Sequence, residues 1–265
     1  MIGICFNYKN IKQNKVFAGF MTHYINQWTT NDFENHIENV LGKKVKVANI
    51  DIAGDGNMNF TFRLTFDDQN TVIIKQSPPY CARFPDIPAP ERRILSEFKY
   101  YELAAKNDFL AAHSPELLGL DKEKRIAYIS DLGSATDFEY LYAQQQKLDK
   151  ATCENLVRYL VSLHSLKIPN DIEFDNLAMR ELNHAYIFHL PFLADDEAID
   201  LDTVTEGLQA IAKPYKNDDE LRQAATELGE LYFKKSRTLI HGDYYPMSWI
   251  ETEKACLSLI LNLDF

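Results

Sequence analysis

The chain is short of basic residues, of cysteine and of long apolar runs, and each shortage closes off a class of function. Lys and Arg number 28 against 39 Asp and Glu, giving a formal net charge of −11 and a pI near 5.1. A nucleic-acid binder draws its affinity from a Lys/Arg surface, so this balance argues against one. An anionic nucleotide would have to be held by local cations and a metal rather than by the field of the whole molecule. The four cysteines, Cys5, Cys81, Cys153 and Cys256, stand far apart with no Cys-x-x-Cys pair, which suggests neither a zinc site nor a disulfide framework. Reduced thiols and a cytoplasmic location are the expectation. No stretch approaches the roughly 18 apolar residues of a membrane span. The apolar start at Ile2, Ile4, Cys5 and Phe6 gives way at once to a polar run over 7–15, too short for a secretory segment. What the chain has is bulk: 265 residues with 46% hydrophobic content, enough for one large domain or two lobes.

Taken in order, the mixed apolar and aromatic stretch Val16 to Trp28 reads as a helix or a docked arm. Thr29-Thr30 and the acidic first turn then open a helix in which Phe33, Ile37 and Val40-Leu41 recur at helical spacing until Gly42 stops it. From Lys44 the period becomes two. Val45 and Val47 alternate with lysines, parity slips at Ala48, where a bulge belongs, and Ile50 and Ile52 resume the alternation. A turn at 53–59 leads to a second strand with Phe60, Phe62, Leu64 and Phe66 on one face, and the turn Asp67 to Asn70 leads to a third, Thr71 to Lys75. Pro85 to Pro90 reads as a proline-rich linker, followed by a helix over Glu91 to Leu103 with Ile94, Phe98 and Tyr101 on one side. A hairpin formed by 117–120 and 126–129 closes this β-rich half. Beyond residue 132 helical patterns dominate, over 137–145, 150–166 and 219–234, while Lys213-Pro214 and the acidic run at 195–197 read as solvated loops. His164, beside the apolar side of its helix, reads as a core histidine.

Asp243 is the residue to explain. A short apolar run delivers it into a turn-forming segment, His241-Gly242-Asp243-Tyr244-Tyr245-Pro246-Met247-Ser248, where a carboxylate can be held rigidly yet open on one side, as a general base requires. An Asx-type turn explains the same residues more plainly. The segment resembles the His-Gly-Asp-x-x-x-x-Asn/Ser catalytic loop of the aminoglycoside phosphotransferase and methylthioribose kinase superfamily. Two further stretches carry the likeness. Gly54-Asp55-Gly56-Asn57-Met58-Asn59 is similar to the Gly-Asp-Gly-Asn-Leu-Asn segment of methylthioribose kinases, and Lys75-Gln76-Ser77-Pro78-Pro79-Tyr80 resembles their Lys-Gln-Ala-x-Pro-Tyr. Ser130-Asp131-Leu132 resembles their Glu-Asp-Leu hinge, and residues 176–188 resemble a further segment of the group.

The resemblance implies an α+β, two-lobed protein-kinase-like fold: an N-terminal arm and helix over 1–44, a small antiparallel-sheet lobe over 45–132, and a mainly helical lobe over 133–265. It implies ATP and Mg2+ as cofactors and a small-molecule hydroxyl acceptor such as methylthioribose, with neither nucleic acid nor membrane as partner and the oligomeric state open, a homodimer included. By the same resemblance Gly54, Asp55, Gly56, Asn57 and Asn59 cover the phosphates and Lys75 binds them. Glu97 pairs with Lys75, with Glu102 as the fallback and an exposed Glu97 beside Arg93 as the plain alternative. Ser130, Asp131 and Leu132 meet the adenine, and Asp243 orients or deprotonates the hydroxyl. Ser248, Asn262 and Asp264 surround the metal. Arg180, Asn183 and His184 line an acceptor pocket or bridge helices. The chain departs from the pattern in three ways. Asn262-x-Asp264 stands where methylthioribose kinases carry Asp-x-Glu, Met247 stands where relatives carry Gly, and family members continue further with helices that complete the lower lobe. A weak or inactive pseudokinase that binds nucleotide or a partner is therefore the rival expectation.

Overall fold

The computed structural model describes residues 24–54, 56–143, 146–169, 174, 176–193, 200–203, 205–234, 238–252 and 256–258. Asp55, Asn262 and Asp264, the acidic run at 195–197, and the N-terminal arm up to residue 23 lie outside that set. After a single 3-10 turn at Ile25–Gln27 comes helix α1 (Thr30–Leu41). A complete capping box between Thr29 and Asp32 starts it, and Gly42 ends it at φ 66°, a left-handed conformation that a Cβ disfavours.

Strands β1 (Val47–Ile52), β2 (Phe60–Phe66), β3 (Thr71–Gln76), β6 (Leu117–Asp121) and β7 (Ile126–Ser130) form one antiparallel sheet in the order β1-β2-β3-β7-β6, with β3 in the middle. The register of β1 against β2 is irregular between Val47 and Asn49, so the expected bulge at Ala48 is present. Side chains of a strand alternate between faces. Val72 and Ile74 of β3 therefore join Phe33 and Ile37 of α1 in one core layer. Ile73 faces the other way, into a second layer with Ile94, Phe98, Tyr101, Tyr159 and Leu163. Lys75 has the parity of Ile73 and is thereby aimed at helix α2 (Arg93–Ala104).

Between β3 and α2 the expected proline-rich linker is instead a small hairpin, β4 (Tyr80–Cys81) with β5 (Phe84–Pro88). A two-stranded ribbon has only edges, where proline's missing N–H costs no ladder bond. Helix α3 (Asp108–Ala112), N-capped by Asn107, leads into β6. In the C-terminal half, β8 (Thr136–Asp137), β9 (Trp249–Glu251) and β10 (Cys256–Ser258) make a second sheet in the order β10-β9-β8. Asp137 thus begins no helix: it pairs with Ile250, and only the short α4 (Tyr140–Ala143) follows. Helices α5 (Lys150–His164), α6 (Leu177–His184), α7 (Leu208–Lys216) and α8 (Asp219–Lys234) supply the rest. Lys213-Pro214 lies within α7 rather than in a loop, late enough that the helix ends two residues after the proline. His164 is exposed at the end of α5, not in the core, because the apolar stripe runs through Leu156, Tyr159 and Leu163.

Candidate active site

Two buried side chains set the upper half of the site. Lys75 is 6% exposed and Glu97 2%, and the Lys75 Nζ donates to Glu97 Oε1. The ammonium therefore does not escape to water, and Glu102, exposed on the same helix, is not its partner. Tyr101, one turn further along α2, donates its hydroxyl to the same Glu97 oxygen at 2.8 Å. Burial, with the Glu97 charge beside it, pushes the Tyr101 phenol far above its ordinary range, so it remains a donor. Glu97 Oε2 is buried with no hydrogen-bond partner among the described residues. An ion pair this enclosed has strong geometric definition, and loss of one member leaves the other a buried charge.

The glycine-bearing turn between β1 and β2 stands at the edge of this pair, Thr61 and Lys75 being cross-strand partners. Gly54 adopts φ 74°, and its Cβ position is open to space, as is that of Gly56, so a ligand can approach the backbone closely there. Below the turn, β4–β5 supports the loop through Arg83 N to Asn57 O at 3.0 Å. The stretch 130–132 is tied in place by its side chains. Arg63 of β2 grips Asp131 with Nε at 2.6 Å and Nη2 at 2.9 Å and donates to Gly133 O at 3.0 Å. Burial acts to raise the Asp131 carboxyl, but the Arg63 and Gly133 hydrogen bonds outweigh it and hold the group below the usual range. Ser130 Oγ accepts from Glu116 N at 2.9 Å. With both side chains engaged, the backbone and Leu132 are what this stretch can offer a ligand. Arg63 was not singled out from sequence because its partner lies 68 residues away.

Asp243 follows Gly242, which takes φ 76°, and its N–H donates to His241 Nδ1 at 3.3 Å. It is half-buried, and burial pushes its carboxyl up to about 6. The loop is anchored by aromatics: Tyr244 stacks on Tyr159 with centroids 6.0 Å apart and planes within 7°, and its hydroxyl donates to Leu156 O at 2.8 Å. A 3-10 turn at Pro246–Ser248 then buries Ser248 completely, its hydroxyl without a partner among the described residues. An orphaned hydroxyl one turn from a raised carboxyl is compatible with a ligand or ion at this place. Among the described residues no group of three His, Cys, Asp or Glu comes together as a metal cage. The structure therefore brings together Lys75, Glu97 and the loop residues Gly54, Gly56, Asn57 and Asn59 on one side and Asp243 and Ser248 on another.

A single core layer, holding Ile73, Phe98, Tyr101, Tyr159 and, at its margin, Ala53 and Tyr244, joins the two sides. A cavity of about 550 Å3 lies elsewhere, on the outer side of α2 between Lys99, Lys122 and Leu177. Arg180 and His184 are engaged with α8: Arg180 donates to Tyr232 O and lies over the Tyr232 ring at 5.4 Å, and His184 meets Phe233 at 4.6 Å. Both act between helices.

A buried lysine–carboxylate pair beside a glycine-bearing turn and, across the same core layer, a half-buried Asp on an aromatic-anchored turn are groups that phosphoryl transfer can use. The chain belongs to the APH phosphotransferase enzyme family, whose profile matches residues 53–252, and its fold is of the α+β class, an antiparallel sheet with helices. It is 24% identical over 205 residues to the methylthioribose kinase of Exiguobacterium sibiricum, covering 72% of this chain and 50% of that one. Against the Bacillus velezensis methylthioribose kinase it is 24% identical over 217 residues, with the same coverage. The chain thus spans about half the length of these relatives. Among solved structures, spectinomycin phosphotransferase in complex with ADP and spectinomycin aligns at 13% identity and a TM-score of 0.47, covering 87% of this chain and 68% of that one. The choline kinase LicA from Streptococcus pneumoniae aligns at 12% identity and a TM-score of 0.45, covering 86% and 66%.

Proposed function

We propose that this chain transfers the γ-phosphoryl group of ATP to a hydroxyl of a small metabolite, a methylthioribose-like sugar being the acceptor class favoured by its relatives. The observation that carries the reading is the buried pair that Lys75 of the central strand makes with Glu97 of α2. When bound, ATP with Mg2+ supplies the phosphoryl group and the divalent charge that neutralises its oxygens. Lys75, held by Glu97, presents a fixed ammonium to the phosphates. The backbone N–H groups of 54–59 line their other side, and residues 130–132 meet the adenine edge through the main chain. Asp243 accepts the hydroxyl proton, the role for which a carboxyl raised toward neutrality is suited. Ser248 would hold the metal together with Asn262 and Asp264.

The test is thermal stabilisation by ATP with and without Mg2+, followed by phosphoryl transfer to methylthioribose and a sugar panel. Magnesium-dependent stabilisation and turnover lost in Asp243→Asn support the reading. A second reading, a pseudokinase that binds nucleotide without transferring it, is favoured by the amide of Asn262 where the resembling motif has a carboxylate. Stabilisation indifferent to Mg2+ with no turnover would select it.

A further inference from the structure

Helix α2 carries a second buried charge one turn before Glu97. Arg93 is 4% exposed, and among the described residues no carboxylate accepts a hydrogen bond from it. A guanidinium has five N–H bonds, and here each meets an acceptor. Nε donates to Asn59 Oδ1 at 3.1 Å. Nη1 donates to Pro78 O at 2.7 Å and Pro90 O at 2.8 Å. Nη2 donates to Met58 O and, at 3.4 Å, to Tyr80 O. The acceptors belong to four separate segments: the glycine loop, the turn after β3, strand β4 and the entry to α2. Burial lowers the Arg93 pKa to about 10, still ionised at neutral pH, with Glu97, Glu91 and Cys81 nearby acting the other way. Desolvating a guanidinium is costly, and a Lys or an apolar side chain could close the same helix end without five convergent carbonyl and amide oxygens.

We propose that Arg93 is a positioning residue that sets the height of the 54–59 loop over the Lys75 ammonium. The proposal rests on the nucleotide reading of that loop. Residues four apart share a helix face. The same turn of α2 that fixes the lysine through Glu97 thereby fixes the loop through Arg93, and a shift of α2 moves both phosphate-facing elements together.

Arg93→Lys keeps the charge and reduces five donors to three. With Mg2+ present, it is expected to raise the dissociation constant for ATP at least tenfold, leave KM for the acceptor within twofold, and speed hydrogen exchange of amides 56–60 in the nucleotide-free protein. Phe98→Leu, a core change on the same helix with comparable loss of Tm, is expected to do neither. ATP affinity within twofold of wild type in Arg93→Lys, or an equal loss in Phe98→Leu, overturns the proposal while the kinase reading stands. Wild-type protein that binds no ATP overturns both. Should Arg93→Lys not fold, Asn59→Ala removes one acceptor, and unchanged exchange of the loop amides would then refute the staple.

Discussion

Asp243 and the Lys75–Glu97 pair are each placed at a cost to stability, and that cost is measurable. The folded-state carboxyl of Asp243 is raised to about 6, above its ordinary value of 3.8. Well below pH 3.8 the folded and unfolded chains both hold the proton and there is no penalty. As pH rises toward 6 the unfolded chain releases it first, and stability is lost until the folded group ionises. Asp243→Asn is therefore expected to be more stable than wild type at pH 7, by on the order of 1 kcal/mol after allowance for partial exposure, or about 2–4 °C in Tm. The two proteins should converge as pH falls well below 3.8. In the same variant phosphoryl transfer should fall by at least a hundredfold, and in wild type kcat/KM should rise with pH along a limb near 6. For the ion pair, Lys75→Met alone leaves Glu97 charged and enclosed and should cost about 3–5 kcal/mol by denaturant titration. Lys75→Met combined with Glu97→Leu should recover most of that. A double variant as unstable as the single one would show that packing, not charge, holds α2 to β3.

Helix α1 owes its definition to its ends. Thr29→Ala removes the capping box and should cost about 1 kcal/mol, read as a lower midpoint at unchanged m-value. These ends were legible in the residues, as were the slip at Ala48, the three strands around the glycine turn and the hairpin 117–129, because each signal is local: a cap, a parity, a turn residue. The lysine and its carboxylate were reached through the family pattern, and strand parity explains why they meet. What could not be read is whatever depends on distant partners. Arg63 looked like a polar strand position until Asp131 stood beside it, and Arg93 figured only as the companion of an exposed Glu97 until five acceptors converged on it. The ribbon 80–88 was hidden by its prolines, and Asp137 was misassigned because the strand it joins begins 112 residues later.

A line of tyrosines runs between the two halves of the molecule. Tyr100 of α2 bonds Tyr159 of α5 hydroxyl to hydroxyl at 2.6 Å and Ser114 at 2.8 Å, and Tyr159 stacks on Tyr244 beside Asp243. This buried chain spans from the helix bearing Glu97 to the loop bearing Asp243, so the halves should unfold as one. The two tryptophans report on each side, Trp28 against α1 and Trp249 against Phe138 and Tyr244. Trp28→Phe and Trp249→Phe single-emitter proteins are expected to show coincident denaturant transitions, and Tyr159→Ala should pull those transitions apart. Coincidence that survives Tyr159→Ala would place the coupling elsewhere.

The odd-and-even order of β3 has a last consequence for anyone altering the length of the strand ahead of Lys75. One residue added just before Lys75 would rotate the ammonium into the greasy compartment beneath α1 and deliver the added side chain to the Glu97 side, whereas two added residues would return the ammonium to its proper side. Length errors there should therefore be tolerated in pairs and forbidden singly.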